Sequence, residues 1–161
     1  MAPHRTRRLA APIWLCTAAA LLLFGVGRAG AEEARHYVGA AVCGECHDSE
    51  FENFAKYAKK AHSYQSVATM RDGLTDEEYR SCLDCHATGY GEPGGFTSLD
   101  ETPHLKDAGC EVCHGPGSVH VETNDTADIR SELTLEDCQR CHSEDRVQSF
   151  DFKPLLFGGA H

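Results

Sequence analysis

The sequence predicts a small, mainly α-helical domain with long loops and little or no β-sheet. Three observations indicate this fold class. Apolar side chains recur at helical spacing after residue 48, two threonines begin segments with the pattern of helix N-caps, and glycine-rich stretches at 88–97 and 115–117 separate the helical segments. No stretch shows the strict alternation of apolar and polar residues that is typical of a half-buried strand.

An apolar stripe predicts the first helix. Phe51, Phe54, Tyr57 and Ala58 recur at helical spacing, so their side chains share one helix face. We expect this helix to run from 48 to roughly 65 and to be the longest in the chain.

Two shorter helices are predicted from their N-terminal residues. Thr75 is followed three residues later by Glu78, and Thr134 is followed three residues later by Asp137. In this arrangement the hydroxyl and the carboxylate each accept a hydrogen bond from a backbone N–H group of the first helical turn. We therefore expect a helix to begin after each threonine.

The first 31 residues have the composition of a secretory signal peptide. Three arginines lie among the first eight residues, an apolar run follows, and residues 29–31 form a small-residue cleavage site. The apolar run at 13–26, interrupted only by Thr17, is shorter than the roughly 20 residues of a membrane-spanning helix. We predict a cleaved signal peptide at 1–31 and an exported domain at 32–161 without a permanent membrane span. The predicted location is the periplasm, with secretion or the cell surface as the alternative.

The charge of the chain argues against nucleic acid as a partner. The sequence contains 25 Asp and Glu against 15 Lys and Arg, and four of those 15 basic residues lie in the first 31 positions. An acidic surface is repelled by a phosphate backbone, whereas it suits electrostatic steering towards basic protein partners.

Aliphatic side chains are too few to form an ordinary core. Leu, Ile, Val and Phe account for 22 of the 130 residues from 32 to 161, which is below the roughly 20% under which highly charged chains are usually disordered. Another source of apolar bulk is therefore required.

The cysteine pattern identifies that source. All eight cysteines of the predicted domain lie in four copies of the motif CxxCH, in which two thiols attach to one haem and the histidine binds its iron. On a helical turn, residues i, i+3 and i+4 share a face, so the spacing directs all three side chains at one ligand. The sequence therefore predicts four covalently bound haem c groups. The motifs are Cys43, Cys46 and His47; Cys82, Cys85 and His86; Cys110, Cys113 and His114; Cys138, Cys141 and His142.

Other cysteine chemistries fit this pattern less well. Zinc ribbons use paired CxxC units about 15 to 20 residues apart, but successive motifs here begin 39, 28 and 28 residues apart. A disulfide framework suits an exported chain but does not explain a histidine after every second cysteine. Thioredoxin-like chemistry needs one CxxC in a βαβ unit, not four copies.

Four haems in 130 residues must touch or nearly touch, which implies a continuous path for electrons. Beyond the motif histidines, the predicted domain contains five more, and Met70 is its only methionine. At most one haem can therefore take the His/Met ligation that raises reduction potential. We predict mostly bis-histidine, low-potential haems. The additional histidines are His36, His62, His104, His120 and His161.

Three segments resemble the cytochrome c-554 family of multihaem cytochromes. They are KKAHSYQ at 59–65, CLDCHATGYGEPGGF at 82–96 and GCEVCHGPGSVH at 109–120. The likeness covers most of the range 37–142. It implies a small multihaem cytochrome c fold that wraps its polypeptide around four haems.

The resemblance also implies axial ligands by position. His62 corresponds to the family's distal ligand to the third haem, whose proximal ligand is His114. His120 corresponds to the distal ligand to the first haem, which is held by His47. The family's distal ligand to the fourth haem lies downstream of the last motif, where His161 is the only candidate.

The second haem departs from the family pattern. The carrier that gives the family its name has no protein ligand at the sixth position of that haem. Here His104 lies between the second and third motifs, and we predict that it binds the iron opposite His86; the alternative is that Pro103 holds the imidazole at the surface. His36 has no clear role, although some related cytochromes form filaments in which one histidine reaches a neighbouring subunit's haem.

Electron transfer between redox partner proteins is the function that the sequence predicts, with no catalytic residue beyond haem. One alternative is an enzyme that reduces a small nitrogen or oxygen species at an open haem, with the second haem as the candidate. A homo-oligomer or extracellular filament that conducts electrons is the other.

Overall fold

The computed structural model describes residues 35–143, all of which fall within one compact unit of the chain. Within this range the structure is helical and no strand is formed, which confirms the predicted fold class. The predicted signal peptide and His161 lie outside the described residues. The α-helices within the range are α1 Ala40–Cys43, α2 Asp48–Tyr57, α3 Ser63–Met70, α4 Asp76–His86, α5 Glu111–His114, α6 Ser118–Thr123 and α7 Leu135–Gln139.

Short 3₁₀ helices connect several of these elements. None of the helices in residues 35–143 is both long and apolar enough to cross a membrane. Loops make up most of the remainder, as the glycine-rich stretches predict. The 3₁₀ helices are Lys59–His62, Arg71–Gly73, Pro103–Leu105 and Thr126–Asp128.

The prediction of a single long helix from 48 to 65 is wrong. The helix α2 ends at Tyr57, because Ala58 adopts an extended conformation with φ −82° and ψ 116°. A 3₁₀ turn follows, and α3 then begins at Ser63. This bend lets the apolar face of α2 bury Phe54 while Ser63 packs against the end of α4. The longest helix in the described residues is α4.

Both predicted N-terminal caps are present. At the start of α4, the Glu78 N–H donates to the Thr75 hydroxyl at 3.3 Å, and the Thr75 N–H donates to the Glu78 carboxylate at 2.8 Å. At the start of α7, the Thr134 N–H donates to the Asp137 carboxylate at 2.9 Å. The helix α4 contains the whole second motif, whereas α7 contains only the first cysteine of the fourth motif.

A small apolar core lies around α3 and α4. Val67 of α3 and Leu83 of α4 pack with Ala87, Phe96 and Leu105 from the loop that follows α4. Tyrosines surround this cluster, and the hydroxyl groups of two of them, on α3 and α4, lie 2.9 Å apart. The core therefore fixes the helix that carries the second motif.

The loop after α4 folds back on itself through a close glycine contact. A Cβ atom on Gly95 would lie 1.7 Å from the carbonyl oxygen of Gly89, so only glycine fits at this position. Thr88 is buried beside this crossing, and its hydroxyl accepts a hydrogen bond from the Gly109 N–H at 2.9 Å. The loop thus fixes the backbone immediately before Cys110.

Candidate haem-binding sites

Each CxxCH motif forms the helical turn that its spacing predicts. In the first, third and fourth motifs the histidine N–H donates to the carbonyl oxygen of the first cysteine, at 2.9, 3.1 and 3.0 Å respectively. The second motif lies within the last turns of α4. Residues i, i+3 and i+4 of such a turn project from one face, so each motif presents two thiols and an imidazole together.

Thiols from different motifs lie next to each other. The thiols of Cys43 and Cys110 form a hydrogen bond, which raises the pKa of Cys43 and lowers that of Cys110 to about 7. Burial, and then a hydrogen bond with Cys85, raise the pKa of Cys141 to about 12. Thiols of the first and third motifs therefore meet, and so do thiols of the second and fourth motifs.

Two of the motif imidazoles are held by backbone carbonyl groups. The His86 Nδ1 lies 2.9 Å from the Ser63 carbonyl oxygen, and the His114 Nδ1 lies 2.6 Å from that of Arg130. Because a carbonyl only accepts, Nδ1 carries the proton and Nε2 has the lone pair that a metal requires. These contacts fix both the tautomer and the direction of each ring.

The fourth motif histidine is influenced by burial and by a lysine. Burial, followed by the ammonium group of Lys60, lowers the pKa of His142. The same ammonium group lies 5.9 Å from the centre of the Phe54 ring. A lowered pKa favours the neutral imidazole, which is the form that binds metals.

His120 lies beside the first motif histidine. The ring centres of His47 and His120 are 6.3 Å apart, and the ring planes differ by 23°. The His120 Nδ1 donates to the Asp125 carbonyl oxygen at 2.9 Å, which leaves the lone pair on Nε2, as in His86 and His114.

His62 is positioned by the bend between α2 and α3. Its Nε2 lies 3.2 Å from the carbonyl oxygen of Ala55, which is seven positions earlier and lies in α2. The next residue, Ser63, donates its hydroxyl to the His86 carbonyl oxygen at 2.8 Å and accepts from the Ala108 N–H at 2.8 Å. The predicted distal ligand to the third haem is thus adjacent in sequence to the residue that holds the second motif.

His104 lies in the 3₁₀ helix Pro103–Leu105, and its side chain is exposed. A Cβ atom on Gly39, which has φ +89°, would lie 3.1 Å from Cδ2 of His104, so the imidazole packs against the backbone just before α1. His36 is also exposed, and its Cβ lies near Gly94. Ligation of the second haem by His104 stays a prediction.

Two buried polar residues at these sites were not predicted from the sequence. Ser63 follows His62 in the sequence and is hydrogen-bonded to His86 of the second motif. Glu111 lies inside the third motif, with 2% of its surface exposed. A glutamate between the two cysteines of a CxxCH motif is a visible signal for Glu111. Ser63 has no comparable signal, because its partners are 23 and 45 residues away.

The chemistry of the donor groups fits haem. Each turn directs two thiols and an imidazole from one face, and the imidazoles of His86 and His114 have their metal-binding nitrogens set by carbonyl partners. The apolar side chains buried within residues 35–143 are few, and three of them are alanines, so a bound porphyrin would supply apolar bulk that the side chains lack. The same residues include no group of three or more His, Cys, Asp or Glu arranged to hold a metal ion by themselves.

The chain is similar to known cytochromes. Residues 42–115 match the family described as cytochrome c554 and c-prime. Cytochrome c-554 of Nitrosomonas europaea is 30% identical over 113 residues, which cover 62% of this chain and 46% of the relative. The match therefore spans less than half the length of that relative, and no solved structure matches the chain. The chain is thus similar to the cytochrome c-554 family through a segment that carries its first three CxxCH motifs.

Proposed function

We propose that this chain is an exported tetrahaem c-type cytochrome that transfers electrons between redox partner proteins. The observation that carries this proposal is the repetition of one geometry: four CxxCH motifs within 100 residues all form the same helical turn. Haem, when bound, supplies reversible one-electron chemistry at its iron. The role of the polypeptide is to attach, orient and shield that group.

Close packing of the haems is supported by the contacts between motifs. The thiols of Cys43 and Cys110 are hydrogen-bonded, as are those of Cys85 and Cys141. Attachment residues that meet in this way bring the first and third sites together, and likewise the second and fourth. Short distances between sites are what a chain needs to pass electrons through its interior.

Bis-histidine ligation is proposed for most of the haems. His120 is the proposed partner of His47. Two metal–nitrogen bonds span about 4 Å, and each nitrogen lies roughly 1 Å from the centre of its ring. The sum, about 6 Å, is close to the 6.3 Å that separates the two ring centres. His62 is the proposed partner of His114, and His161 that of His142. Imidazoles on both sides of an iron exclude other ligands, which suits a carrier.

Features of the sequence support export and docking to redox partners. A signal peptide at 1–31 would direct the chain to the periplasm, where haem is attached covalently. The excess of acidic over basic residues would steer the protein towards a basic surface on its redox partners.

A low-temperature electron paramagnetic resonance spectrum of the oxidised protein tests the carrier function. Six-coordinate bis-histidine irons are low-spin, whereas an iron without a sixth protein ligand is high-spin. We expect a spectrum in which low-spin signals account for all four irons. A spectrum dominated by high-spin iron would contradict the proposal.

A reductase is the second candidate, and the position of His104 favours it. Its imidazole is exposed and packs against Gly39, which precedes the first motif rather than the second. If His104 leaves the iron held by His86 without a sixth ligand, that site can bind a small nitrogen or oxygen species. Fast binding of nitric oxide to the reduced protein at one haem would support this candidate.

A further inference from the structure

Glu111 is a buried acidic residue at the junction of three segments. It is the residue after Cys110 in the third motif, and 2% of its surface is exposed. Its carboxylate lies between the chain that leads into α1 and the loop that leads into α6. A carboxylate is rarely buried unless other groups stabilise its charge.

Backbone N–H groups supply that stabilisation. The Val38 N–H donates to Oε1 at 2.9 Å, the Gly39 N–H donates to Oε2 at 2.7 Å, and the Gly117 N–H donates to Oε1 at 2.8 Å. Both oxygens therefore accept hydrogen bonds, as they do in an ionised carboxylate. Hydrogen bonds to a charged acceptor are stronger than those between neutral groups.

These bonds connect the two sides of the first haem site to the third motif. Val38 and Gly39 lead into α1, which ends at Cys43, while Gly117 precedes the helix that carries His120. Glu111 itself is covalently next to Cys110. One side chain thus holds the backbone on both the proximal and the distal side of the first site.

No basic side chain forms an ion pair with Glu111 within residues 35–143. Arg130 and Arg140 line the same cavity as Glu111, but Arg130 is bound to Asp137 at 2.5 Å. The charge of Glu111 acts on Tyr37. The pKa of Tyr37 is raised by burial first, by Glu92 second and by Glu111 third. Water screens a buried charge less than a charge at the surface, so a buried charge acts over a longer range.

We propose that the buried carboxylate of Glu111 is a positioning residue whose fixed negative charge lowers the reduction potentials of the first and third haems. An oxidised haem iron carries one more positive charge than a reduced one, so a nearby anion stabilises the oxidised state. The inference rests on the proposed haem function. Attachment through Cys43 and Cys110 places the first and third haems nearest to this charge.

Spectroelectrochemical titration of the haem-loaded protein tests the inference with three variants. Glu111→Gln keeps the shape but removes the charge, and Glu111→Asp keeps the charge on a shorter side chain. Glu45→Gln is the matched control, since Glu45 also lies between the cysteines of a motif but is exposed. We expect Glu111→Gln to raise the potentials of two haems, while Glu111→Asp and Glu45→Gln follow the wild-type curve.

Several outcomes would overturn the inference. One is a Glu111→Gln protein that retains four haems and titrates as the wild type does; another is an equal rise in Glu45→Gln. If the Glu111→Gln protein does not accumulate, the Glu111→Asp protein decides between the two roles. Reduction potentials as low as in the wild type support the inference. Potentials above those of the wild type contradict it, because they indicate a purely structural role. Loss of haem from the wild-type protein would instead contradict the proposed function.

Discussion

The imidazole rings of His47 and His120 lie 6.3 Å apart, with their planes inclined by 23°. His47 ends the first CxxCH turn, and His120 lies on α6, 73 positions further along the chain. The contact therefore brings together the histidine of the first motif and the helix that follows the third motif. It is the arrangement expected if both rings bind one iron.

Replacing His120 with Ala should open the first haem. The iron held by His47 would lose its distal imidazole, so we expect one high-spin signal and new carbon monoxide binding, with four haems still attached. Electron paramagnetic resonance and optical titration with carbon monoxide measure these changes. His36→Ala removes an exposed imidazole outside the proposed ligand set and is the control. A wholly low-spin His120→Ala protein would exclude the pairing with His47.

Replacing His62 with Ala should open a different iron. Its predicted site is the third haem, opposite His114, so the high-spin signal should add to that of His120→Ala in the double variant. Spin quantification in the two single variants and the double variant measures this. If the double variant shows one high-spin iron instead of two, the two histidines do not bind separate haems.

Replacing Ser63 with Ala should destabilise the protein without removing a ligand. The hydroxyl bridges the His86 carbonyl oxygen and the Ala108 N–H, and leaving such buried groups without a partner costs about 1–3 kcal/mol. Denaturant unfolding followed by circular dichroism measures the free energy of unfolding.

Ser81→Ala is the matched control for this prediction. The Ser81 hydroxyl is exposed and donates only to the Glu78 carbonyl oxygen of its own helix, so we expect a change within about 0.5 kcal/mol. An equal loss of unfolding free energy in both variants would show that the hydrogen bonds of Ser63 stabilise the protein no more than that of Ser81.

Local patterns predicted the elements whose hydrogen bonds are local. The caps at Thr75 and Thr134 and the four CxxCH turns each depend on residues within five positions of one another. Sequence spacing is enough to predict such features, because the partners are fixed by the helical repeat itself.

Features that depend on distant partners were missed. The apolar stripe of α2 gave no sign that the chain bends at Ala58, since the bend serves contacts of Ser63 with residues 23 and 45 positions away. The role of Glu111 depends on Val38, which is 73 positions earlier. Periodicity within a segment does not report what the segment packs against.

His104 decides between a carrier and an enzyme. If it binds the iron held by His86, the reduced wild-type protein should not bind carbon monoxide until His104 is replaced by Ala. The imidazole lies in the 3₁₀ helix Pro103–Leu105, exposed and beside Gly39. Stopped-flow mixing with carbon monoxide measures the binding. Fast binding by the wild type at one haem would contradict ligation by His104 and favour the reductase.

Four covalent haems are the central claim, and intact mass spectrometry of the denatured protein tests it most directly. The protein should be produced with the machinery for c-type haem attachment, so that the thiols can react. We predict the mass of the polypeptide 32–161 plus four haems, with all eight thiols of the CxxCH motifs consumed. A mass equal to the polypeptide alone, or to the polypeptide with fewer than four haems, would contradict the claim.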